Sequence, residues 1–273
     1  MFRIVRWIQG VETTIFSYIY MKTWITKYLA VITYIGLVSC AAPVLERHSV
    51  GQHPFVFRGD GHQISKLNYL LYLPEDYGKE KKFWPLIIYL HGASVRGNNV
   101  NKIKSYGIPL LLENRKNFPF IVISPLCPGG KNWEDTNSLL ALLDDVCAEY
   151  SVDKDRIYVT GMSMGGSGTW YLAYRHPERF AAIAPLCGTA DTSWVSQLKQ
   201  VPVWVFHGAG DTVIPIRYSF DMVEAIIASG GEIKYTFYPG EGHDIVTKTY
   251  NNGELYDWFL RHRRNDSSKA ERK

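Results

Sequence analysis

Short apolar runs recur along the chain from residue 64 onward and alternate with segments whose apolar residues repeat at helical spacing. The runs "ISKLNYLLYLP", "PLIIYLHG", "FIVISP", "RIYVTG", "FAAIAPLCG", "VPVWVFHG" and "IKYTFYPG" read as strands, most of them closed by glycine or proline. Several have no polar break, as expected of parallel strands buried on both faces. Between them, "NSLLALLDDVCAEY" predicts a helix opened by an Asn/Ser cap, and "YSFDMVEAIIASGG" a helix stopped by glycine. "NNGELYDWFLRHRR" reads as a last helix. Strand and helix in alternation predict an α/β fold with a mainly parallel sheet flanked by helices. The one long irregular insertion is "GASVRGNNVNKIKSYGIPL", and no segment is large enough for a lid domain.

Composition agrees with a single sizeable domain: 273 residues, 46% hydrophobic and 14% aromatic, supply one core. The net charge of +4 changes meaning once it is located. Residues 1–39 carry +3 and residues 261–273 carry +4, which leaves −3 on residues 40–260. A slightly acidic body has no footprint for a phosphate backbone, which argues against nucleic-acid binding. Four cysteines, Cys40, Cys127, Cys147 and Cys187, show no paired spacing of a structural zinc site, so no metal is expected. A disulfide among the last three stays open if the protein is exported.

The segment from Met21 to Cys40 has a short basic start (Lys22, Lys27), an apolar stretch from Tyr28 to Val38 and then small residues, the layout of an export signal. Its apolar part is short for a membrane span, which wants about 20 residues. The closing "LVSC" resembles the lipobox of bacterial lipoproteins, in which the cysteine, here Cys40, carries the lipid. The alternative is an ordinary signal cleaved after Ala41 or Ala42. On this reading residues 1–20 are an upstream extension from a misassigned start and 21–39 the signal peptide. The polar stretch that follows, through residue 61, is a tether and entry segment.

Candidate chemistry begins at Gly161-Met162-Ser163-Met164-Gly165, a G-x-S-x-G motif. Flanking glycines permit a tight turn between the strand "RIYV" and the helical stretch "GTWYLAYRHPERF", and the turn lifts the serine hydroxyl clear of the sheet. A serine needs a base to take its proton and a carboxylate to orient that base. "VPVWVFHGAGDTVIP" offers Asp211 just beyond a strand, and "YTFYPGEGHD" offers His243 in a glycine-rich loop. Asp191 and Asp244 are the other acid candidates; Asp191 follows a different strand, and Asp244 adjoins the histidine and has difficulty facing back onto its ring. Two backbone amides would complete the site, those of Ala93 in "IIYLHGAS" and of Met164 after the serine. His91 reads as a loop anchor and His207 as a structural residue at a strand end.

These motifs resemble small α/β-hydrolases related to the dienelactone hydrolase and prolyl oligopeptidase catalytic domains, a group of esterases and "predicted peptidases". The resemblance runs from about Leu67 to Leu260, on "LHGASVRGNN", "PFIVISPLCPGGKNWEDT", "VDKDRIYVTGMSMGGSGTW", "HPERFAAIAPLCG", "VFHGAGDTVIP" and "YPGEGHD". It implies an α/β-hydrolase fold over residues 62–264, ahead of a basic tail at 265–273. It also implies the order Ser163, Asp211, His243, and Trp133 near the mouth of the site in contact with the acyl or alcohol group. A loop-filling aromatic is the other reading of Trp133. The expected activity is a serine carboxylic-ester hydrolase using an acyl-enzyme and no cofactor. An open, exported site suits acetyl or feruloyl esters on polysaccharides. The alternatives are a serine peptidase and a non-catalytic surface lipoprotein of the same fold.

Overall fold

The computed structural model describes residues 49–59, 66–115 and 117–264. The expectations for residues 1–20, the signal, Cys40 and the basic tail lie outside the described residues. Eight strands form one sheet: β1 (Gly51–Phe57), β2 (Leu67–Leu73), β3 (Trp84–Leu90), β4 (Ile121–Pro125), β5 (Val152–Met162), β6 (Ala182–Leu186), β7 (Val203–Gly208) and β8 (Ile233–Tyr238). Their order across the sheet is β1-β2-β4-β3-β5-β6-β7-β8; β2 runs antiparallel to both its neighbours, β1 and β4, and every other adjacent pair is parallel. The helices are α1 (Gly107–Asn114), α2 (Thr136–Glu149), α3 (Met164–Arg175), α4 (Val195–Leu198), α5 (Arg217–Ala228), α6 (Val246–Tyr250) and α7 (Gly253–Leu260).

Strand alternation sorts the apolar side chains into two cores. Leu86, Ile88, Ile121, Ile123, Ile157, Val159 and Val203 pack on one face against Leu139 and Leu142 of α2, Leu172 of α3 and Met222 and Ile226 of α5. Ile87, Tyr89, Val122, Tyr158, Trp204 and Phe206 pack on the other against Ile108 of α1, Tyr250 of α6 and Trp258 and Phe259 of α7. Both faces are covered, which is why β3, β4, β6 and β7 are buried along their whole length.

Two expectations need correcting. Gly51–Phe57 falls within the segment read as tether and entry, yet it pairs residue for residue with β2. As an edge strand it buries only Phe57, and its apolar residues are confined to the short stretch Pro54 to Phe57 behind a polar start. The cap of α2 is Asp135, whose carboxylate accepts from the Ser138 N–H at 3.2 Å, in place of the Asn/Ser pair at 137–138. The long insertion is also more regular than its composition implied, since it holds two short 3-10 turns and the start of α1.

Parallel alignment has one consequence for function. The ends of β3, β5, β6, β7 and β8 all open onto the same rim, where sites in sheets of this kind form. Leu86 is fully buried in the core under that rim, so Leu86→Ala should lower unfolding free energy by about 2–5 kcal/mol in denaturant titration, with the m-value unchanged.

Candidate active site

Five loops converge at the rim. β5 ends at Met162, and Ser163 follows with φ 58° and ψ −119°, a conformation that non-glycine residues rarely hold and that costs on the order of 1–3 kcal/mol. The turn closes because its flanks lack side chains: a Cβ at Gly165 would overlap the Leu90 carbonyl, and one at Gly161 would overlap the carbonyls of Leu90 and Gly165. The Ser163 N–H donates to the Leu186 carbonyl at 2.9 Å, tying the turn to β6.

His243, in the loop after β8, meets this serine. The Ser163 hydroxyl donates to His243 Nε2 at 2.9 Å, and His243 Nδ1–H donates to Asp211 Oδ2 at 2.7 Å. Asp211 Oδ1 accepts from the backbone N–H groups of Val213 and Ile214 at 2.8 and 2.9 Å. Burial pulls the Asp211 carboxyl towards protonation, but the His243 and backbone donors outweigh it and hold it below the usual carboxylate range. The competing acids are engaged elsewhere. Asp191 caps a 3-10 turn through the Ser193 N–H at 2.8 Å, and Asp244 accepts from the Tyr106 hydroxyl at 2.5 Å.

Behind Asp211 lies a second, buried layer. His207 Nε2 stands 2.9 Å from the Ile214 carbonyl and 3.2 Å from Asp211 Oδ2, while its Nδ1 accepts from the Ser219 hydroxyl at 2.7 Å. Burial lowers the His207 pKa, which keeps the ring neutral. Cys187, buried with φ 44°, hydrogen-bonds Asp211, and burial pushes its thiol up to about 12. Cys187, His207 and Asp211 bring ligand-type atoms within 4.8 Å of one another, but each is already held in these bonds. Cys127, Cys147 and Cys187 are all free thiols.

The two amides expected to complete the site flank the serine. Met164 is the first residue of α3, where backbone N–H groups point outward and the helix dipole favours negative charge. A side chain at Gly92 would lie 3.8 Å from Ser163 Cβ, so Gly92 stands beside the nucleophile position and Ala93 is the residue that follows it. His91 fixes that loop: its Nδ1–H donates to the Gly92 carbonyl at 2.7 Å, and its Nε2 accepts from the Cys127 N–H at 3.0 Å. Trp133 departs from the substrate contact implied by resemblance. Its ring is 4% exposed, wedged against Gly168 and edge-on to His91, and its indole N–H donates to the His91 carbonyl at 2.9 Å. It supports the loop from behind.

Three contacts at the site have no local signal in the sequence. Tyr106 reaches Asp244 across 138 positions, and Arg96 bridges the Ala93 and Lys131 carbonyls at 3.1 and 3.0 Å. Ser219 sets the His207 ring from α5. Each joins segments that only folding brings together.

The arrangement can activate a hydroxyl for attack on a carbonyl and hold the oxyanion that results. Residues 133–252 match a family model described as phospholipase/carboxylesterase. The chain is 27% identical to "probable feruloyl esterase C" of Aspergillus terreus over 215 residues, 76% of this chain and 77% of that one. It is 34% identical to dipeptidyl-peptidase 5 of Porphyromonas gingivalis over 130 residues, 42% of this chain and 18% of that one. Among solved structures, a thermostable esterase superposes with a TM-score of 0.68 at 28% identity, over 78% of this chain and 63% of that chain.

Burial lowers the His91 pKa from 6.5 to about 4, with the bond to Gly92 opposing. The folded state therefore favours neutral His91, and its contribution is complete above pH 6.5 and lost as pH falls towards 4. Melting temperature should drop across that window, and His91→Asn should flatten the acid slope in differential scanning. Fold, rim geometry and sequence matches meet in one statement: the chain is a carboxylesterase-like hydrolase of the α/β-hydrolase fold.

Proposed function

We propose that Ser163, His243 and Asp211 hydrolyse carboxylic esters through an acyl-enzyme. The observation that carries this reading is the unbroken hydrogen-bonded line from Ser163 Oγ through the His243 ring to Asp211. Ser163 Oγ attacks the ester carbonyl as His243 Nε2 takes its proton. Asp211, kept ionised, stabilises the imidazolium and its tautomer. The amides of Ala93 and Met164 bind the oxyanion. Collapse of the tetrahedral adduct expels the alcohol, which takes the proton from His243. Water, deprotonated by His243, then attacks the acyl carbonyl and regenerates Ser163.

For the substrate, likeness to a feruloyl esterase favours feruloyl or acetyl esters carried on polysaccharide. An export signal at 21–39 and a lipid on Cys40 would put the enzyme where such polymers are met. A peptidase with the same three residues is the competing reading, favoured by the dipeptidyl-peptidase relative.

Ser163→Ala should reduce hydrolysis of methyl ferulate to background and abolish labelling by a fluorophosphonate, with the melting temperature retained. Asp211→Asn should lower kcat by about 10⁴-fold with a small change in KM. Residual turnover by Ser163→Ala would remove the assignment, and efficient cleavage of aminoacyl anilides with no ester turnover would favour the peptidase. In a bacterial host fed a labelled fatty acid, the full chain should take up label and sediment with membranes. Cys40→Ala should do neither.

A further inference from the structure

An open cavity of about 1000 Å³ is lined by Lys66, Arg96, Lys131 and Arg175, with Glu134 and Asp135 at its wall. Its location is set by the elements already described. Arg96 enters from the loop after β3 and Lys131 from the loop after β4. Asp135 caps α2, and Arg175 closes the last turn of α3. The Arg96 guanidinium donates to the Ala93 carbonyl at 3.1 Å and the Lys131 carbonyl at 3.0 Å, so one side chain forms both the cavity wall and the strut of the oxyanion loop. The cavity thus shares Arg96 with the Ala93 loop, although Ala93 itself does not line it. It extends towards the far end of α3, whose 12 residues span about 18 Å.

The charge here runs against that of the body. Residues 40–260 carry −3, yet four cations gather around this one cavity. Among the described residues none of the four is in an ion pair. Arg175 lies near the Tyr171 ring and hydroxyl, and Arg96 uses backbone carbonyls, so neither charge is neutralised. Of the two acids, Asp135 is occupied with the Ser138 N–H and hydroxyl. Cations with no ion pair among the described residues, spread along an open cavity of this volume, suit a ligand that is extended, polar and repeatedly anionic. A volume near the top of the usual range of about 300–1000 Å³ for ligand sites is more than a single acyl group needs.

We infer that the cavity is the subsite for the alcohol side of the ester, and that this side is an acidic glycan whose uronate carboxylates are held by Lys66, Arg96, Lys131 and Arg175. The inference rests on the ester-hydrolase reading above and specifies its substrate class. The acyl group sits at Ser163, the scissile oxygen near Ala93, and the sugar chain continues along the cavity. Lys131 and Arg175 take no part in the Ser163–His243–Asp211 line and can be changed without touching it.

The test compares three substrates: methyl ferulate, a feruloylated neutral xylo-oligosaccharide, and the same oligosaccharide bearing glucuronate. The native enzyme should favour the acidic oligosaccharide in kcat/KM by about tenfold at low ionic strength, and about 0.5 M salt should erase most of that preference by screening exposed charges. Lys131→Glu combined with Arg175→Glu should abolish or invert the preference while methyl ferulate hydrolysis stays within about twofold. The neutral pair Lys131→Gln and Arg175→Gln should fall between, and a thermal melt identifies any variant that has lost its fold. Equal kcat/KM for the two oligosaccharides in the native enzyme, or a preference that survives charge reversal, overturns the inference. Binding provides an arm free of catalysis: by calorimetry the Ser163→Ala protein should bind oligogalacturonate and not neutral xylo-oligosaccharide, and equal binding of both would also overturn it. Failure of the ester-hydrolase reading shows separately, as loss of any Ser163 dependence on methyl ferulate.

Discussion

Ser163 occupies a backbone conformation that its own chemistry disfavours, and the site is arranged around keeping it there. A positive φ at a residue with a side chain persists only when the surroundings over-determine it. Here the constraint comes from close backbone approach. Gly161 and Gly165 let the turn press against the end of β3, and the Leu186 carbonyl holds the Ser163 N–H from β6. Two neighbouring strands therefore grip the turn from either side. Strain at the serine is maintained by packing of the sheet as a whole, which ties the reactivity of one hydroxyl to the stability of the core.

The polar groups behind the serine follow the same logic at longer range. A buried carboxylate is costly unless its oxygens are satisfied, and Asp211 meets two backbone donors, a histidine and a thiol. His207 is locked between Ser219, Ile214 and Asp211, and burial keeps it neutral, so it adds order without adding charge. On the opposite side, His91 and Trp133 hold the Ala93 loop through one carbonyl and two rings. Two buried histidines, His91 and His207, whose pKa values burial lowers, thus support the loops on either side of the proposed proton carrier, His243.

Arg96 joins this framework to the surface. The guanidinium that braces the Ala93 carbonyl also lines the cationic cavity, so the cavity and the loop that carries the proposed oxyanion amide share a side chain. In the proposed acidic-glycan complex, a ligand carboxylate at Arg96 would act on the loop that carries Ala93. Binding energy gathered remotely along a polymer can in this way be expressed at the reacting carbonyl.

Much of this was legible in the chain. The seven apolar runs, the G-x-S-x-G turn and the glycine-rich loops around Asp211 and His243 are local signals, because strand burial, turn conformation and loop chemistry depend on adjacent residues. The edge strand at Gly51–Phe57 was hidden, since all but its last residue are exposed or half-buried and its pairing with β2 is what makes it a strand. For Trp133 the resemblance implies a substrate contact and the residue alone allows a loop-filling aromatic; the second reading fits its burial against Gly168 and His91. Asp211 is preferred to Asp191 and Asp244 from the sequence, but pairing Tyr106 with Asp244 and gathering Lys66, Arg96, Lys131 and Arg175 around one cavity needed the fold. Sequence by itself determined which residues had the chemistry and which loops carried them; tertiary structure alone decided which of them meet, because hydrogen bonds and charge act over a few ångströms of space and are blind to separation along the chain.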